Sequence, residues 1–257
     1  MIAADEKERP GLSQDEEPQK AQTMRNELPP SAYLRATELC NFEHPAIRDK
    51  ADALVQRSDT PRDTALGVFH FVRDAIPFDA TLDIWEKASE TLDKRVNDYC
   101  NKVNLQVALL RAVGIPARCH LVQVEKEVLK PFIPRFIYNR IPSPVGHFWC
   151  ECHLDERWIA CEALFDEPLY LGMLGASLVT REQIPTIDWD GKSDLILFLP
   201  WIVSDEGTYP AFDNILASPM ISEAGMPPKV LCKLFDPIPM LLSRRRTDSI
   251  RGRREGE

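Results

Sequence analysis

The stretch 100–118, "CNKVNLQVALLRAVGIPAR", limits the possible folds of this chain more than any other. Val103, Val107, Leu110 and Val113 recur at helical spacing, and Leu105, Ala108 and Leu109 widen the stripe. The resulting helix is apolar around most of its circumference, so it belongs at the centre of its domain. Gly114 is a natural C-terminal stop, and Pro116 prevents continuation. "ARCHLVQVEKEVL" then alternates as a strand does.

Shorter helices precede this element. "HPAIRDKADALVQR" places Ile47, Ala51, Leu54 and Val55 at helical spacing. In "SDTPRDTALGVFHFVRDAIPF", Asp59 or Thr60 can cap a helix whose first turn holds Pro61. Its apolar face is Ala65, Val68, Phe69, Val72 and Ile76, and Pro77 stops it. After a proline-rich loop at 131–144, "GHFWCECHLDERWIACEAL" reads as two strands flanking a turn at Asp155-Glu156. That turn lacks the glycine such hairpins favour. "DLILFLPWIV" is one more expected strand. Helices first and a mainly antiparallel sheet afterwards define an α+β domain, placed at 31–242. Residues 1–30 are polar, lack a periodic apolar face and are expected to be disordered. The Arg-rich segment 243–257, "SRRRTDSIRGRREGE", is expected to be a solvated tail.

Composition narrows the function. A formal net charge of −9 argues against nucleic acid as a partner, because a phosphate-binding surface needs excess cations. No apolar run approaches the roughly 18 residues of a spanning helix, so no membrane partner is expected. The first 30 residues lack the apolar core of a secretion signal, which makes a cytoplasmic location the default. Seven cysteines, an odd number, suit reduced and mostly buried thiols there.

One thiol stands apart. If Asn97 or Asp98 caps the central helix, Cys100 lies in its first turn. There the helix dipole favours a thiolate, and unpaired amides can donate to a developing oxyanion. In the hairpin, Leu154 pairs with Arg157, which puts Trp149 opposite Glu162 and Cys150 opposite Cys161. His147 shares the face of Trp149, so His147 and Glu162 are diagonal neighbours with Cβ atoms about 7–8 Å apart. A glutamate spans that gap, and a carboxylate on one imidazole nitrogen turns the other toward a thiol. Nucleophile, base and orienting acid on separate elements form the constellation for cysteine-based acyl transfer.

The stretch from about 65 to 215 resembles the transglutaminase-like superfamily, a branch of the papain-like cysteine enzymes. The resemblance rests on "CNKVNLQVALLRAVGIPAR", on "HFWCE", on "WIACEALFDEPL" and on the later "DWDGKSDLIL", which is similar to bacterial-type members. It implies Cys100 as nucleophile and His147 as base, and it puts Glu162 where the family usually has aspartate. It also implies a thioester formed on a peptide, protein or small-molecule amide or ester, resolved by water or an amine, with no metal or organic cofactor.

Three alternatives stand beside this reading. The glutamate supports a non-catalytic binding or scaffold module of the same fold. Asp166, in "FDEP", is a second candidate for the orienting acid. Cys150, Cys152 and Cys161, with Cys119 and His120 nearby, raise a zinc site, although no Cys-x-x-Cys knuckle is present. For Arg111 and Arg118 an ion pair is the simpler expectation. The loop "LKPFIPRFIYNRIPSPVG" runs into His147 and is either a recognition loop or structural.

Overall fold

Caps and prolines set the helix starts. The computed structural model describes residues 28–79, 86–94, 99–217 and 237–253. After a short 3₁₀ turn at Pro30–Leu34, α1 (Pro45–Val55) begins at Pro45, with the His44 ring accepting the Ala46 N–H. The helix α2 (Pro61–Ala75) starts as the sequence requires: Thr60 Oγ1 accepts the Asp63 N–H at 3.1 Å, and Pro61 occupies the first turn. α3 (Ala88–Lys94) and α4 (Tyr99–Ala112) follow. The expected cap at Asn97 or Asp98 and residues 1–27 lie outside the described residues.

α4 is the central helix, and its burial goes further than its apolar stripe. Every residue from Cys100 to Arg111 is buried, including Asn101, Lys102, Asn104 and Gln106. Three of these polar groups, Lys102, Asn104 and Gln106, hold neighbouring elements in place, because a buried donor left without an acceptor would be costly. Asn104 Nδ2 donates to Leu39 O and Glu86 O at 3.0 and 3.3 Å. Gln106 Nε2 donates to Cys161 O at 2.8 Å. Lys102 Nζ donates to Arg73 O and Ile76 O, which places a cation at the C-terminal end of α2. Burial of that ammonium lowers its pKa to about 7. Arg111 binds the carbonyls of Arg35, Ala117 and Pro210, so its role is structural, but through backbone oxygens and not the expected ion pair.

The sheet lies against α4. β1 (Ala117–Val124) leads through a 3₁₀ turn at Lys126–Leu129 and the short α5 (Arg135–Tyr138) to β2 (Val145–Leu154) and β3 (Arg157–Ala160). α6 (Glu167–Gly175), β4 (Ile202–Tyr209), α7 (Phe212–Leu216) and α8 (Pro237–Arg251) complete the described chain. The strand order is β3-β2-β1-β4, antiparallel at each step. The hairpin pairs Leu154 with Arg157 and Glu151 with Ala160, the register read from the sequence. Its turn residues Asp155 and Glu156 both take positive φ, at 49° and 61°, so this primed turn forms without glycine. Asp155 also pairs with Arg62 of α2, which ties the turn to the helical layer.

Two further expectations change. Residues 194–201 do not form a strand. Only Leu195 bridges to Cys161 there, and the strand starts at Ile202, after a 3₁₀ turn that Pro200 shapes. The segment from 243 is not a solvated tail through Arg251. It continues α8, which crosses the domain end expected at 242 and packs on α6. Arg251 anchors it, donating to Asp166 Oδ2 at 2.8 Å and to Phe78 O at 2.6 Å. The approach is close, since a Cβ placed on Gly172 of α6 would meet Ile250 O at 1.9 Å. No helix among the described residues is long and apolar enough to cross a membrane.

Candidate active site

β2 carries His147 with its side chain buried, and its Nε2 lies 2.8 Å from Glu162 Oε1. The two side chains are 4 % and 2 % exposed, so the pair sits away from competing water. Glu162 stands just beyond the end of β3. Its own N–H donates to Leu195 O, and its Oε2 accepts the Leu197 N–H at 2.6 Å. Both carboxylate oxygens are therefore engaged, which fixes the acid and, through it, the plane of the imidazole. The Leu197 amide had no signature in the sequence. It depends on the 194–197 segment lying beside 160–162, which no local pattern announces.

Cys100 is the second residue of α4, and α4 packs on β2. The thiol is thus in a first helical turn. It is buried, at 1 % exposure. The adjacent surface is aromatic: Phe198 meets the His147 ring edge-on at 4.8 Å. A narrow cavity of about 60 Å³ reaches His147 between Phe78, Phe132, Phe165 and Phe198.

The other cysteines described are held differently. Burial pushes the Cys40 and Cys150 thiols up to about 11 and that of Cys119 up to about 12. Cys161 is raised well above the usual thiol range, first by burial. Cys152 is raised likewise, first by its contact with Cys161 and then by burial. Cys161 Sγ lies 3.4 Å from Cys150 O and 3.9 Å from Cys152 Sγ, which is packing among protonated thiols. No group of three or more His, Cys, Asp or Glu side chains converges as a metal site among the described residues.

His120 joins a second network on the His147 face of the sheet. Its Nδ1 lies 2.6 Å from Glu151 Oε1 and its Nε2 2.8 Å from Asp205 Oδ1, and it stacks on Trp149 at 4.4 Å. Burial alone would lower the His120 pKa, but the two carboxylates outweigh it and raise the value. Arg118 Nε donates to Glu151 Oε2 at 2.7 Å, the ion pair expected of that arginine. Asp166, the second candidate acid, is committed elsewhere. It caps α6 through the Leu169 N–H and pairs with Arg251, which holds its carboxyl below the usual range against the opposing effect of burial.

Helices combined with an antiparallel sheet make an α+β fold consistent with a papain-like, transglutaminase-like core. Residues 48–163 match the model of the transglutaminase-like superfamily. A solved structure from Cytophaga hutchinsonii, provisionally described as a cysteine protease, is similar at 17 % identity with a TM-score of 0.41. The similarity covers 51 % of this chain and 40 % of that one. No curated protein matches the chain significantly.

Proposed function

We propose that this chain is a cysteine-dependent acyl-transfer enzyme working through Cys100, His147 and Glu162. The supporting observation is the buried His147–Glu162 pair, whose second carboxylate oxygen is held by the Leu197 amide. With Nε2 given to Glu162, Nδ1 is the nitrogen that takes the thiol proton. The Cys100 sulfur attacks the carbonyl carbon of an amide or ester. The carbonyl electron pair moves to oxygen, where first-turn amides of α4 receive it. The intermediate collapses to a thioester, and the imidazolium returns its proton to the departing amine or alcohol. Water, deprotonated by His147, then attacks the thioester and releases the acid with a regenerated thiol. An amine in place of water would give a new amide. Hydrolysis is the reading adopted, and it needs no cofactor.

The deep burial of Cys100 favours a second reading, a binding module of this fold that does no chemistry. Intact-protein mass spectrometry during incubation with an acyl-donor library separates the two. A covalent acyl adduct on wild type that disappears in Cys100→Ala supports the enzyme. Identical spectra and product profiles for both proteins would overturn it.

A further inference from the structure

A second and much larger cavity backs onto the one at His147. It is a cleft of about 910 Å³, within the range of small-molecule sites, between the 127–136 loop, α6 and α8. The two cavities share Val128, Phe132, Phe165 and Phe198 as lining. A single layer of rings separates them. Phe132 and Phe165 have centroids 5.6 Å apart, and Phe165 and Phe198 5.8 Å apart. The aromatic contact runs on from Phe198 to His147 on one side and to Trp201, in the cleft wall, on the other.

The walls of the cleft have a definite chemistry. The floor is apolar, with Met173 and Val179 beside the rings, and Phe136 stands 54 % exposed at the mouth. The rim is cationic. Lys130 faces it from the loop and Arg245, Arg246 and Arg253 from α8 and its end, with Glu127 the single acid in the lining. Arg246 Nη1 also donates to Ile133 O at 2.8 Å, bridging helix to loop. This concentration of cations stands out on a chain of net charge −9. Apolar walls with a few convergent charges are how a site fixes both the identity and the orientation of a ligand. Arginine forks favour carboxylate and phosphate.

We propose that the cleft receives the non-reacting part of the acyl donor: an apolar body carrying an anionic group, carboxylate or phosphate, remote from the bond that is cleaved. This rests on the reading of Cys100 and His147 as acyl-transfer machinery. The substrate's apolar portion lies on Phe132, Phe165 and Phe198, its carbonyl reaches toward His147, and its anion meets Arg245 and Arg253.

The test is calorimetric binding to the full-length Cys100→Ala protein, which removes turnover from the readout. The probes are decanoate, decyl phosphate and decan-1-ol, each below its micelle concentration. The two anions distinguish carboxylate from phosphate recognition. At least one anion is expected to bind with unit stoichiometry, about tenfold or more tighter than the alcohol. Arg245→Gln with Arg253→Gln should abolish that preference. Phe136→Ala, at an exposed position that leaves folding intact, should weaken anion and alcohol alike and retain the preference. The proposal is overturned by an absence of saturable anion binding, by equal affinity for anion and alcohol, or by an unchanged preference in the arginine variant when its thermal melt matches the parent. An acidic peptide that binds where neither amphiphile does would also overturn it. Anion binding as expected, with no acyl adduct ever seen on wild-type Cys100, would instead overturn the enzyme reading and with it the occupant's identity as an acyl donor. An active Cys100 without anion preference would overturn the cleft proposal alone.

Discussion

Glu162 divides its two oxygens between His147 Nε2 and the Leu197 amide, at 2.8 and 2.6 Å. Glutamine at this position can keep the amide bond through its oxygen, but it then turns an NH₂ toward His147. That forces Nε2 to accept and puts the ring proton on Nδ1, the wrong tautomer for taking a proton from a thiol. Glu162→Gln is therefore expected to lower turnover on the order of 10²- to 10⁴-fold. Glu162→Asp, one methylene shorter, cannot hold both contacts and should fall between the two. Rates of acyl-adduct formation on the three proteins check the order.

Thiol alkylation should be selective. The five other described cysteines are buried and held as thiols by raised pKa values. Iodoacetamide at pH 6–8, followed by peptide mapping, is expected to modify Cys100 ahead of Cys40, Cys119, Cys150, Cys152 and Cys161. His147→Ala should remove that lead. Modification of all six at one rate would oppose the assignment of Cys100.

Lys102 gives a pH dependence of stability with a definite sign. Its folded pKa, about 7, is below the value of the unfolded chain. Between pH 7 and about 10.4 the unfolded state binds the extra proton, so this lysine's contribution to stability rises with pH across that window. Its penalty is complete below pH 7 and has an upper bound on the order of 5 kcal/mol. Lys102→Met should gain most relative to wild type near pH 6, with the difference shrinking toward pH 10. Denaturant melts at four pH values test this; a difference independent of pH would contradict it.

The Asp166–Arg251 pair should carry α8. Arg251→Ala leaves the buried Asp166 with only its α6 cap and is expected to cost about 1–3 kcal/mol. Because the folded Asp166 pKa is depressed, the pair's contribution is present above the unfolded value near 3.9 and is lost as pH falls through the depressed one. Hydrogen exchange should show the loss first in α8 and at Leu169.

Much of this arrangement can be read in the sequence because it follows from periodicity. The stripe from Val103 to Val113 predicts a central helix, and a two-residue loop at Asp155-Glu156 fixes which strand positions face one another. Counting outward from that turn brings His147 and Glu162 to one face. The rest depends on contacts distant in the chain. Buried Lys102 and Gln106 look like a solvated face in a helical projection, and only the α2 carbonyls and Cys161 O explain them. The 194–201 segment has the composition of a strand, yet its one bridge is at Leu195 and it supplies the amide at Leu197. The arginines of α8 suggest a free tail because their partners, Asp166 and the Phe78 and Ile133 carbonyls, lie far upstream.

Gly172 lets α6 and α8 touch at backbone distance. At this point of the seam between core and C-terminal helix, one added methyl group acts as a wedge. Gly172→Ala would pry α8 away without altering a residue of α8, His147, Glu162 or Cys100. That makes position 172 a genetic handle by which the cationic wall of the large cleft can be removed while its aromatic floor stays in place.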